Sequence, residues 1–208
     1  MLAIHFSGGF DNSLEALGFA SLGFLLIGLI AMDWQTLRLP DAFTLSGIAM
    51  AVFLVCTQAI FLGPREDQIT FTSKHLRLSS PGSFAAKGNV FLTGPEALIF
   101  GRMAAIVGAA LVLLLVRWAY KALRGREGLG LGDVKMLAMV AAFLGFWPAM
   151  LTLFTGVMLA SGYGLMLMAR GRAGALTRLP LGSFLGLGGL FTALFGGAVL
   201  EWYGGLLR

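Results

Sequence analysis

Runs of about twenty apolar residues recur along this chain, at 14–32, 42–62, 96–120, 149–169 and 181–203, and each is long enough to cross the hydrocarbon core of a bilayer as a helix. Backbone polar groups in lipid must be satisfied within the segment, so such runs become helices and the chain is read as an all-α, polytopic membrane protein with a single membrane domain. Composition agrees: of 208 residues, 58% are hydrophobic and only 12% charged, with a mean hydropathy of +0.86. Thirty glycines fit helices that approach one another closely through small residues. The formal charge of +5 does not point to nucleic acid, because the basic residues lie in short connections between apolar runs. The lone Cys56 excludes an internal disulfide or a paired-cysteine zinc site.

A sixth apolar run, 133–146, is different. At about 1.5 Å per residue it falls some 10 Å short of the bilayer core, so its start is expected below the surface or in a water-filled notch. The sequence ends it at Trp147-Pro148, giving a bundle of about six transmembrane helices. Residues 1–13 lack the basic start of a signal peptide, so the first run is expected to stay in the mature protein. Asn12 or Ser13 is expected to cap the first helix and Asp41 the second, with Pro40 ending the segment after Asp33. The stretch 63–95 is the only long polar connection, and Thr70-Phe71-Thr72 within it is a candidate strand.

Orientation follows from the basic residues. With the first connection inside, the cytoplasmic side collects Arg38, Arg117, Lys121, Arg124, Arg126, Lys135, Arg170, Arg172 and Arg178, nine of the fifteen, mostly in short loops. The connection 63–95 then lies on the other side. Asp33 and Asp133 come to the same, cytoplasmic surface.

Those two carboxylates are the chemistry this chain offers. An ionisable residue at the edge of an apolar run is costly to bury and marks a functional hypothesis with a partner to be found. Two carboxyls in one bundle can share a proton, one activating water while the other protonates a leaving group. Gly130 and Gly132 allow a sharp turn and close approach of an extended chain beside Asp133. Lys135 either steers an acidic ligand or reaches for the headgroups. No cofactor and no metal is expected: His5 and His75 are isolated, Cys56 lies within a span, and Ser161 and Ser183 have no neighbouring base. Each aspartate also has a plainer reading, Asp33 as an interfacial residue and Asp133 as a helix-start residue favoured by the dipole. A non-catalytic scaffold or transporter subunit, with the aspartates lining a polar pathway, is therefore the alternative to an enzyme.

Three blocks resemble the type IV prepilin leader peptidases, bacterial intramembrane aspartic peptidases of the Gly-x-Gly-Asp type. Asp33 through Pro40-Asp41 looks like the first, Gly130-Leu131-Gly132-Asp133-Val134-Lys135 like the second, and Leu179-Pro180-Leu181-Gly182-Ser183-Phe184-Leu185 like the third, with Ser183 where proline is commoner. The resemblance implies that Asp33 and Asp133 are the catalytic pair of an aspartic endopeptidase in the bacterial inner membrane. It implies prepilin or pseudopilin precursors as partners, cut at the cytoplasmic face after the glycine that ends the leader. Longer members begin with a cytoplasmic segment, often with paired CxxC motifs, associated with N-methylation. With one cysteine and no room for such a segment, this chain is read as a short form, for which the resemblance implies the peptidase and leaves the methyltransferase open. Presenilin-like enzymes share only Gly-x-Gly-Asp with it.

Reporter fusions in the connection 121–127 and after Arg170 are expected to report cytoplasm, and fusions near Lys74 the exterior. The opposite pattern would place both aspartates outside.

Overall fold

The computed structural model describes residues 10–36, 39–61, 95–125, 130–171 and 180–206. These form six helices: α1 (Phe10–Thr36), α2 (Asp41–Phe61), α3 (Pro95–Arg124), α4 (Leu131–Leu144), α5 (Phe146–Ala169) and α6 (Leu181–Leu206). Among the described residues there is no strand, and the candidate at 70–72 lies outside them. Five helices, all but α4, are long and apolar enough to cross a membrane. Large apolar side chains such as Phe24, Phe53, Leu115 and Leu165 are exposed on the outside of the bundle, where lipid would cover them.

The short helix is the centre. α4 has 14 residues, about 21 Å at the usual rise, and packs against all five of the others. Nine of its residues are buried, from Asp133 to Ala142. Met136, Leu137, Met139 and Val140 join Leu22, Leu26 and Leu29 of α1, Ala109 and Leu113 of α3, Ala149 of α5 and Leu185 of α6 in one core. From Met136 to Ala142 every residue of α4 is buried, so this part of the helix is enclosed by its neighbours.

Several helix ends differ from the sequence expectation, each for a local reason. α1 begins at Phe10, so Asn12 and Ser13 lie inside it. It also continues to Thr36, whose Oγ donates to the Met32 carbonyl at 2.7 Å, and Asp33 sits in its last turns instead of beyond its end. Nothing between Asp33 and Thr36 breaks a helix, and the restriction that Pro40 imposes acts only on Leu39. At the start of α2, the Pro40 carbonyl accepts from the amides of Phe43 and Thr44 at 3.2 and 3.5 Å. Pro40 thus holds the cap position and Asp41 is the first helical residue. The break after α4 comes at Gly145, whose φ of +96° suits glycine. Trp147 and Pro148 instead fall in the first turn of α5, where proline's missing N–H costs nothing. Arg102 of α3 reaches the same break: a Cβ on Gly145 would lie 3.2 Å from its Nη1. That places a cation by the C-terminal carbonyls of α4, the favourable end of the helix dipole.

Glycines let the helices touch backbone to backbone. A Cβ on Gly156 of α5 would stand 2.9 Å from Leu185 Cα of α6, and one on Gly188 of α6 would stand 2.8 Å from the Thr152 carbonyl oxygen. Gly186 of α6 lies against Ile30 of α1, and Gly47 of α2 against Met139 of α4. In lipid, where apolar burial does not distinguish a neighbour helix from a tail, such approach supplies the packing energy.

Gly188→Ala pushes a methyl group into a backbone carbonyl that cannot yield. It is expected to cost about 1–3 kcal/mol, read as a lowered melting temperature in detergent. Gly162→Ala, which meets nothing within 4 Å, is expected to leave that temperature unchanged.

Candidate active site

Asp33 and Asp133 are both buried, with 4% and 7% of their surface exposed. Their positions follow from a problem that every helix start poses. The first four amides of a helix have no partner within it, and inside a bundle they must find one. α4 and α6 both begin this way, with Leu131-Gly132-Asp133 and Leu181-Gly182-Ser183 as their first three residues.

At α6 the partner is Asp33. Its Oδ2 accepts the Ser183 amide at 2.6 Å and stands 3.0 Å from the Ser183 hydroxyl. The same hydroxyl lies 3.2 Å from the Ile30 carbonyl, so its single proton is shared between the two acceptors. Ser183 is itself buried. At α4 the partner is the helix's own third residue. The Asp133 carboxyl reaches back to the backbone amide of Gly130, which occupies the cap position without a side chain to offer. A Cβ on Gly130 would crowd Asp133 Oδ2 at 3.3 Å.

The two helix starts are brought together by Leu39. A Cβ on Gly132 would lie 2.9 Å from Leu39 Cβ, and one on Gly182 would lie 2.8 Å from Leu39 Cδ1 and 2.9 Å from Asp33 Oδ2. Only glycine leaves room at both places, and the leucine fills the gap between them. Asp33 and Asp133 are then near enough to interact by charge. The structure therefore places together the two aspartates that the sequence singled out, with Gly130 and Gly132 beside Asp133.

Lys135 has a partner that the sequence did not suggest. Its Nζ pairs with Asp41 Oδ1 at 2.6 Å, tying α4 to the first turn of α2. Both side chains are solvent-accessible, 35% and 62%, so the pair registers two helices more than it stabilises them. Asp41 is thus an ion-pair partner and not the cap it was expected to be. Ser183, set aside for want of a neighbouring base, has a carboxylate at hydrogen-bond distance. Only the unusual residue in the third block hinted at it, since serine brings an amide and a hydroxyl where proline has neither. Beside the carboxyls stands an aromatic wall: Trp34, Tyr163 and Phe184 have ring centroids 5.3–6.5 Å apart.

A helical membrane bundle with two buried carboxyls held at adjoining helix starts defines a class, that of polytopic proteins with a paired-aspartate centre. Comparison with known proteins gives the family. Residues 81–165, which include Asp133, match the type IV leader peptidase family. The chain is 32% identical over 151 residues to the prepilin leader peptidase/N-methyltransferase of Burkholderia pseudomallei (strain 1026b), covering 73% of this chain and 48% of that protein. It is 35% identical over 124 residues to the protein of the same description from Dichelobacter nodosus, 59% of this chain and 40% of that one. It is 37% identical over 99 residues to the leader peptidase HopD of Salmonella typhimurium, 47% of this chain and 61% of that one. This chain belongs to the type IV leader peptidase family. It spans about half the length of the Burkholderia relative. No solved structure matches it.

A double-mutant cycle on Asp41→Ala and Lys135→Ala, followed by unfolding in detergent, is expected to give a coupling of about 0.2–1 kcal/mol, the range of solvent-accessible ion pairs. A larger value would mean that the pair is a principal link between α2 and α4.

Proposed function

We propose that this chain is an intramembrane aspartic endopeptidase that removes the leader of prepilin or pseudopilin precursors at the cytoplasmic face, with Asp33 and Asp133 as the catalytic pair. The observation that carries this reading is that both carboxyls are buried at the starts of α4 and α6, which Leu39 joins, and that they interact by charge. The relatives' descriptions as prepilin leader peptidases support the substrate class.

Chemically, a neighbouring pair of carboxyls holds one proton between them, because two charges at close quarters are costly. The charged member takes a proton from water as its oxygen bonds to the scissile carbonyl carbon, and the acid member protonates the carbonyl oxygen. The tetrahedral intermediate then collapses. The carboxyl that took the water's proton gives it to the departing nitrogen as the C–N bond breaks, and the other recovers its own from the new carboxyl group. Gly130 puts no side chain beside Asp133 Oδ2, which keeps that flank of the pair clear for an extended leader. A glycine before the cut suits the same crowded approach.

Co-expression with candidate prepilins from neighbouring genes, scored by the gel shift of leader loss, tests the reading. Asp33→Asn and Asp133→Asn keep size and much of the hydrogen bonding but cannot exchange the proton. Each is expected to lower cleavage by a hundredfold or more while the protein still accumulates in the membrane. Asp41→Asn is expected to cut at near the normal rate, since it lies in the ion pair with Lys135 and not in the dyad. Normal cleavage by either dyad variant would remove the two-carboxylate mechanism.

A further inference from the structure

The dyad is built unevenly. Asp33 Oδ2 faces the Ser183 amide and the Ser183 hydroxyl, and it does so at the start of α6, where unpaired amides favour negative charge. An amide can only donate, so the oxygen facing it at 2.6 Å cannot direct a proton that way. The hydroxyl can turn, but its other acceptor, the Ile30 carbonyl, also calls for its proton. Both contacts therefore suit the carboxylate form of Asp33. Asp133 also stands at a helix start, its own, but there its partner among the described residues is one backbone amide, that of Gly130.

We infer that Ser183 is the positioning residue of the pair, holding Asp33 as the charged carboxylate through Oδ2 so that Oδ1 is the oxygen that meets the water, and leaving the shared proton on Asp133. The catalytic roles in this inference rest on the peptidase reading; the charge asymmetry rests on the hydrogen bonds alone. With it, the two aspartates are no longer interchangeable. Asp33 Oδ1 takes the proton of the attacking water as the new C–O bond forms, and passes it to the nitrogen as the C–N bond breaks. Asp133 gives its proton to the carbonyl oxygen and recovers one from the intermediate. Proline at position 183 would supply neither donor, so this way of holding Asp33 belongs to the residue that sets the third block apart.

Dicyclohexylcarbodiimide separates the two carboxyls without any need for cleavage, because it adds to a carboxylic acid and not to a carboxylate. The purified full-length protein is treated in lipid, and the modified peptides are identified by mass spectrometry. Asp133 is expected to carry the adduct and Asp33 to be spared. In Ser183→Ala the adduct is expected to appear at Asp33 as well, and in Ser183→Thr, which restores the hydroxyl, to recede again. In the cleavage assay Ser183→Ala is expected to lower kcat about tenfold to a hundredfold, as for loss of a hydrogen bond to a charged group, with KM within twofold. Preferential labelling of Asp33 in the unmodified protein overturns the inference, and needs no variant to fold. So does a Ser183→Ala protein with unchanged labelling and unchanged kcat. The expected labelling in a protein that cuts no precursor would uphold the asymmetry and sink the peptidase reading.

Discussion

A helix that begins packed against its neighbours must find acceptors for its first amides among them, and in this protein two helices begin that way side by side. Water solves the problem for helix starts at a membrane surface; within the bundle it has to be solved by side chains. α6 is completed by a carboxylate lent from α1, and α4 by the carboxyl group of its own third residue. The paired acids are therefore also structural parts, each placed where a positive helix end would otherwise go unanswered. That is why they can sit buried in an apolar protein: the burial cost is met by the backbone they serve.

The rest of the architecture makes that arrangement possible. α4, at 14 residues, is the short helix of the six, and it packs against all five longer ones. Glycines at the second position of α4 and of α6 let one leucine lie between the two starts, and glycines farther along α6 bring it against α1 and α5. The ion pair between Lys135 and Asp41 ties α4 to the first turn of α2 in the same region. Each of these contacts joins segments far apart in sequence, so the site depends on the whole bundle being assembled.

This separation explains what could be read from the sequence. The spans were legible because hydropathy is a local property, and so was the shortness of α4. Asp33 and Asp133 were legible because a carboxyl next to an apolar run is conspicuous, and because the topology alone sends both to one side. Ser183 and Leu39 were not, since the serine reaches its carboxylate across 150 positions and the leucine is one apolar residue among many. Lys135 looked like a charge for the membrane surface, and its partner is 94 positions away. The helix ends were misplaced in the same spirit: Asn12, Ser13 and Asp41 are good caps in isolation, but α1 begins before the first two and Pro40 starts α2. A positive-φ glycine did what Pro148 was expected to do, because proline in a first turn permits a helix instead of ending one.

The aromatic wall beside the carboxyls has a spectroscopic meaning. Trp34 follows Asp33 directly in the chain and leans on Phe184, which follows Ser183 directly, so one indole straddles the junction where α1 lends its carboxylate to α6. The residue is more than half exposed, at 57%, and an indole at such a boundary changes its emission with the polarity and packing around it. Of the four tryptophans in the chain, it is the one that adjoins an aspartate of the pair. A version retaining Trp34 alone would carry an optical reporter of that junction within the native fold, with no dye attached.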